Sequence, residues 1–146
     1  MTRILDCDLL VVGGGSGGLS VAAGAAQMGA RVVLAEKGRM GGDCLNYGCV
    51  PSKALLAAAK AAHAGGAAAP FGVRYEPPAV DFARVHDHVH GVIAAIAPHD
   101  SVERFESLGV TVLQETARFL DHRHMVAGDH VLHARRIVLA TGSRPR

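Results

Sequence analysis

The stretch Gly13-Gly14-Gly15-Ser16-Gly17-Gly18 constrains this chain more than any other feature. Five glycines in six residues follow the apolar run Asp8 to Val12, "DLLVV", and open an alanine-rich segment from Gly17 to Met28. The run reads as a buried parallel strand and the segment as a helix, with Gly29 as its C-terminal cap. Arg31 to Ala35, "RVVLA", reads as a second buried strand closed by Glu36. A strand, a glycine turn, a helix and a second strand form a βαβ unit of nucleotide-binding length. Within it, Gly13 permits a sharp turn, Gly15 lets a pyrophosphate approach the backbone, and Gly18 lets helix and strand pack closely. The helix N-terminus favours phosphate charge. Glu36 can accept hydrogen bonds from both ribose hydroxyls and disfavours a 2′-phosphate, which points to FAD or NAD rather than NADP. The competing reading is a plain glycine turn with a surface glutamate.

The rest of the chain sets the class. It has 146 residues with 49% hydrophobic and 19% charged, enough for one globular domain. Aromatics are 4%, tryptophan is absent and the net charge is +2 with scattered Lys and Arg, so neither a nucleic-acid nor a membrane partner is expected. Three cysteines without a secretory signal fit a reducing, cytoplasmic setting.

Pro51 is placed to begin a helix that Gly65-Gly66 would stop, and residues 67 to 79 read as loop. Phe82, Val85, Val89, Val92, Ile93 and Ile96 recur at helical spacing up to Pro98. Asp100 or Ser101 can cap a short helix that stops at Gly109. "VTVL", "ARFL", "HMVA" and "HVLH" then alternate with period two and read as a β-meander, followed by a last strand, "RIVLAT". The expected fold is α/β: a Rossmann-type domain with a parallel sheet plus a small β-meander.

Cys44 and Cys49 stand five apart in "GGDCLNYGCVPSK". Three readings compete: a structural staple, half of a metal site, or a redox pair. So small a loop gains little from a staple. A zinc site needs about four ligands. His86, His88 and His90 are possible extras, but only His86 and His90 share a helix face, and a solvated face is the better reading. No metal is expected. A redox dithiol fits best, because Cys49 lies near a helix N-terminus that stabilises a thiolate. Cys7 reads as a small core residue.

"GGDCLNYGCVPSKAL" resembles the redox-active disulfide signature of the class I pyridine nucleotide–disulfide oxidoreductases, the family of dihydrolipoamide dehydrogenase, glutathione reductase and mercuric reductase. The resemblance runs from the glycine loop to "ATGSRPR" at the end. It implies FAD as cofactor, with Gly13, Gly14, Gly15, Ser16, Gly17 and Gly18 at the pyrophosphate and Glu36, followed by Lys37, at the adenosine ribose. Gly42, Asp43 and Cys44 also fall among the cofactor-contacting positions. Cys44 would be the interchange thiol, Cys49 the charge-transfer thiolate beside the flavin, and Lys53 the cation near flavin N5. Ala117 matches an adenine contact; Thr141 and Gly142 match the segment near the flavin side. Pro51-Ser52-Lys53 is closer to dihydrolipoamide dehydrogenase and mercuric reductase than to glutathione reductase. Asp43 departs from the commoner Thr, and Tyr47 from the commoner Val.

The implied activity passes electrons between NAD(P)H and a small-molecule or disulfide substrate through FAD and the cysteine pair. Family chains are roughly three times longer, so residues 1 to 146 would be the N-terminal portion of the FAD domain. The NAD(P)H and dimerisation domains lie elsewhere, the full-length protein is expected as a homodimer, and this portion alone is not expected to turn over. The rival readings are a non-catalytic FAD-binding module and an NAD-binding Rossmann dehydrogenase with incidental cysteines.

Overall fold

The computed structural model describes residues 3 to 143. Arg144, Pro145 and Arg146, the end of the "ATGSRPR" match, lie outside the described residues.

Strand β1 (Arg3–Val12) leads through the glycine turn into helix α1 (Ser16–Gln27) and strand β2 (Val32–Ala35). These are the βαβ unit read from the sequence. Helix α2 (Gly42–Asn46) and helix α3 (Cys49–Ala67) follow, then a 3-10 turn over Ala69–Phe71. Helix α4 (Phe82–Ile96) and helix α5 (Val102–Ser107) precede strands β3 (Thr111–Leu113), β4 (Ala117–Phe119), β5 (His124–Ala127) and β6 (His130–Leu139). All six strands form one sheet in the order β3-β2-β1-β6-β5-β4. β3, β2, β1 and β6 pair in parallel, while β6, β5 and β4 pair antiparallel.

Several expectations change here: β1 begins at Arg3 rather than Asp8, and α3 runs through Gly65-Gly66 to Ala67 instead of stopping there. "VTVL" is not part of the meander: β3 pairs in parallel with β2 at the other edge of the sheet. Period-two alternation gives a strand its faces but does not name its neighbour. "HVLH" and "RIVLAT" are not separate strands either. They merge into β6, because Ala134-Arg135 between them contains no breaker and β1 pairs along nearly the whole length.

The centre of the sheet is buried on both faces. Leu10, Val33 and Ala35 pack with Met125, Ala127, Leu132, Ala134 and Cys7. Val11, Val32 and Leu34 face the other way, against Leu19 and Ala22 of α1, Phe105 of α5 and Val110. This double burial is why β2 is apolar throughout. Gly29 adopts φ +86° after α1, as a C-terminal cap requires.

Helices α3 and α4 pack on each other, and α4 also touches α2. Asp81 caps α4 by accepting from the N–H groups of Ala83 and Arg84; Ser101 caps α5 through Arg104. The apolar face of α4 is real but only half-buried, and Ala54 is the one buried residue of α3. This helical pair therefore stands beside the sheet core rather than within it. Among the described residues no helix is long and apolar enough to cross a membrane.

Candidate functional site

The glycine turn sits at the carboxyl end of β1, where ligands bind in open α/β sheets. Gly13 has φ +112° and its N–H donates to the Ala35 carbonyl at 2.8 Å. A Cβ there would collide with the Ala140 carbonyl at the end of β6, so the turn is closed in by two strands. A Cβ on Gly18 would collide with the Gly13 carbonyl, which is the close helix–strand approach expected of it. Gly17 meets nothing within 4 Å, and Gly15 meets only the Gly42 Cα, at 3.8 Å. The space over the start of α1 is thus open at the positions where a phosphate would approach backbone N–H groups. The residues present fit a dinucleotide pyrophosphate.

Glu36 follows β2 at the same sheet end, and its carboxylate braces the turn. Oε2 accepts from the Gly14 N–H at 2.5 Å and Oε1 from the Gly38 N–H at 2.6 Å. A cleft of about 140 Å³ opens beside it, lined by Gly13, Glu36, Lys37, Ala117 and Thr141, together with Glu115 and Thr116. Five of the residues singled out in the sequence therefore meet in one place, although they range from position 13 to position 141. Glu115 and Thr116 were missed. Their signal was adjacency to Ala117 at the entry to β4.

Cys44 and Cys49 lie on a separate arm. Pro51 is the third residue of α3, not the first: Gly48 is the N-cap and Cys49 begins the helix. Proline is tolerated there because the first-turn N–H groups have no helical partner anyway. The first such bond is donated by Ser52 to the Gly48 carbonyl, at 3.1 Å. The shift places the Cys49 backbone itself at the helix N-terminus. Both cysteines are free thiols, Cys49 exposed and Cys44 half-buried. The Cys49 thiol hydrogen-bonded beside it pushes the Cys44 thiol above its ordinary range, and the nearby Lys53 ammonium opposes this. Asp43 is exposed in the first turn of α2, where a carboxylate complements the helix dipole; its carbonyl accepts from Tyr47 and Gly48.

The arm is locked to the glycine turn by backbone. Gly41 bridges Gly15 in parallel, and its N–H donates to the Gly14 carbonyl at 2.9 Å. Gly42, at φ +56°, lies directly on Gly15. The Asn46 side-chain amide donates to the Gly42 carbonyl at 2.8 Å and to the Met40 carbonyl at 3.1 Å, pinning the turn. Gly41 and Asn46 were also missed; the paired glycines before the first cysteine were the available signal for the former. Ser16, Gly17, Gly42, Asp43, Cys44, Cys49, Lys53 and Gly142 do not line the Glu36 cleft.

Residues 7–146 match the family model described as pyridine nucleotide-disulphide oxidoreductase. The chain belongs to the pyridine nucleotide-disulphide oxidoreductase family. Among its curated family relatives, a dihydrolipoyl dehydrogenase of Haloferax volcanii is 39% identical over 145 residues, covering 94% of this chain and 30% of its own length. A mercuric reductase of Streptomyces lividans is 35% identical over 144 residues, again covering 94% of this chain and 30% of its own. The chain thus spans about 30% of the length of these relatives. The fold is also that of an HOCl-induced flavoprotein disulfide reductase from Escherichia coli, solved as its Cu(II) complex. That match has a TM-score of 0.76 at 22% identity, covering 94% of this chain and 28% of that one.

Proposed function

We propose that the full-length protein is a flavoprotein that moves electrons between NAD(P)H and a disulfide or similar thiol-reactive substrate through Cys44 and Cys49. One observation carries this reading. The helix turn bearing Cys44 is joined to the dinucleotide turn through Gly15, Gly41 and Gly42. A cofactor on the glycine turn and a thiol pair on the arm are thereby held in one frame. The family relatives named dihydrolipoyl dehydrogenase and mercuric reductase support it.

The open space over Gly15 and Gly17 takes the FAD pyrophosphate, with Gly14, Ser16 and Gly18 completing the turn. The cleft of Glu36, Lys37, Ala117 and Thr141 takes the adenosine. Gly42, Asp43, Cys44, Lys53 and Gly142 border the rest of the cofactor. Bound flavin supplies the two-electron relay from NAD(P)H to the cysteine pair. The chain's own chemistry is thiol–disulfide exchange. The Cys44 thiolate attacks a substrate disulfide, forming a mixed disulfide and releasing one thiol. Cys49 then attacks Cys44, closing the Cys44–Cys49 disulfide and releasing the second thiol. One disulfide is reduced to two thiols as the dithiol is oxidised. Lys53 favours the thiolate, and the Cys49 neighbour restrains it.

The test is absorption spectroscopy of the purified full-length protein. It is expected to be yellow and to gain a long-wavelength band on two-electron reduction. Cys49→Ser is expected to abolish that band. Its survival overturns the role of Cys49. A colourless protein that binds NAD favours the dehydrogenase reading, and retained flavin with an unchanged thiol count after reductant favours a binding module.

A further inference from the structure

Helix α4 carries His86, His88 and His90 at alternate positions. A helix turns about 100° per residue, so His86 and His90 share a face and His88 does not. In the folded chain the His86 and His90 rings lie with centroids 4.3 Å apart and planes tilted by 52°. Both side chains are exposed, and the helix backbone fixes their spacing. Two imidazoles at i and i+4 on one helix face match the spacing at which helices present paired nitrogens to a divalent metal ion.

The tilt matters. Each ring nitrogen's lone pair lies in its ring plane, so two rings share one ion only where their planes cross close to both. Planes tilted by 52° cross more steeply than near-parallel ones do. His124 and His133 give the contrast. Their centroids are 4.7 Å apart, but the planes differ by only 18°. Near-parallel planes cross far from the rings. Each Nδ1 of that pair is also engaged, by Asp121 at 2.7 Å and by Asp6 at 2.9 Å. That pair is stacked and its Nδ1 atoms are taken; the α4 pair is tilted.

We propose that His86 and His90 form a two-imidazole site for a divalent transition metal ion of the kind that favours nitrogen ligands. Asp87 Oδ1 stands 3.8 Å from His86 Nδ1, a flanking negative charge that favours a cation. Among the described residues no three His, Cys, Asp or Glu side chains converge, so water completes the coordination. Such a site is open and exchangeable. Its preference follows the order for nitrogen donors, Cu²⁺ above Ni²⁺ and Zn²⁺, and it excludes Mg²⁺ and Ca²⁺, which want oxygen. His86 also lines a groove of about 340 Å³ with Tyr47, Pro51 and Ser52. The bound ion therefore sits at the rim of a groove that passes the residues flanking Cys49. The site rests on α4 alone and stands or falls independently of the flavin reading.

The test is calorimetric titration of the tag-free full-length protein with NiCl₂ at neutral pH. Ni²⁺ does not oxidise thiols, and prior alkylation with iodoacetamide removes Cys44 and Cys49 as rival ligands. Wild type is expected to bind one ion per chain more than the double variant His86→Ala/His90→Ala. Each single variant, His86→Ala or His90→Ala, is expected to weaken that ion at least about tenfold, since even outer-shell losses cost that much. His88→Ala is expected to leave it unchanged. Equal stoichiometry in wild type and double variant overturns the site. So does unchanged affinity in either single variant, or an equal loss in His88→Ala.

Discussion

Gly42 rests on Gly15 so closely that a Cβ on Gly42 would lie 2.6 Å from the Gly15 Cα. The first residue of the cysteine-bearing helix and the third glycine of the glycine turn are thus in backbone contact. A side chain at Gly42 would both clash with main chain and occupy the left-handed region at φ +56°. Gly42→Ala is expected to lower stability by about 1–3 kcal/mol. Urea unfolding of the purified full-length protein measures this, and flavin retention should fall with it. An unchanged midpoint means the contact is not maintained in solution.

Gly17 and Gly18 should respond oppositely to the same change. Gly18→Ala drives a Cβ into the Gly13 carbonyl and is expected to abolish folding or cost more than about 3 kcal/mol. Gly17 lies inside α1 with nothing within 4 Å, so Gly17→Ala is expected to stabilise the apoprotein by about 0.5–1 kcal/mol through helix propensity. If a pyrophosphate uses that space, the same variant binds FAD more weakly. Tighter or equal FAD binding by Gly17→Ala would show the space is not used.

Glu36 holds two backbone N–H groups with one carboxylate. Glu36→Gln keeps one acceptor and replaces the other with a donor facing an N–H. A loss of about 1.5–3 kcal/mol is expected, from one charge-assisted bond. Thermal unfolding without cofactor isolates this bracing role from any ribose contact. A loss seen only with FAD present would mean the glutamate acts on ligand alone.

Cys7 supplies a pH dependence. Burial pushes its thiol up from 9.0 to about 11, with Arg31 opposing. Below about pH 9 the thiol is protonated in both folded and unfolded chains and its contribution is constant. Between about 9 and 11 the unfolded chain releases its proton first, so folding becomes less favourable as pH rises. Wild type is expected to lose more stability than Cys7→Ala between about pH 8 and 10.5. Parallel losses in the two proteins would rule out Cys7 as the source.

Cys44 titrates against its partner. Its thiol is raised chiefly by the hydrogen-bonded Cys49 thiol. Iodoacetamide alkylation of Cys44 should therefore need higher pH than an ordinary thiol does. In Cys49→Ala the profile should move down, because the Lys53 charge then acts without the opposing bond. An upward or absent shift contradicts the coupling.

The local elements were legible because each is written in contiguous residues. The apolar run, glycine turn and alanine-rich helix specify a βαβ unit by period, propensity and turn chemistry, and α1 and β2 appear within about a residue of expectation. Capping by Ser101 and the stop at Gly109 are equally local. The cysteine spacing within a glycine-rich turn likewise singled out the pair.

What required the tertiary structure was pairing. β3 alternates as the meander strands do, and only its parallel contact with β2 moves it to the opposite edge. The Glu36 cleft joins residues from the ends of several chain segments, and no periodicity brings Ala117 and Thr141 to Gly13. The same holds for Gly42 on Gly15 and for Asn46 over the Gly42 carbonyl. Local propensity depends on a few neighbouring residues and is readable in order along the chain. Contacts between distant segments depend on which surfaces the packed sheet leaves facing each other, and that is decided only when the whole core closes.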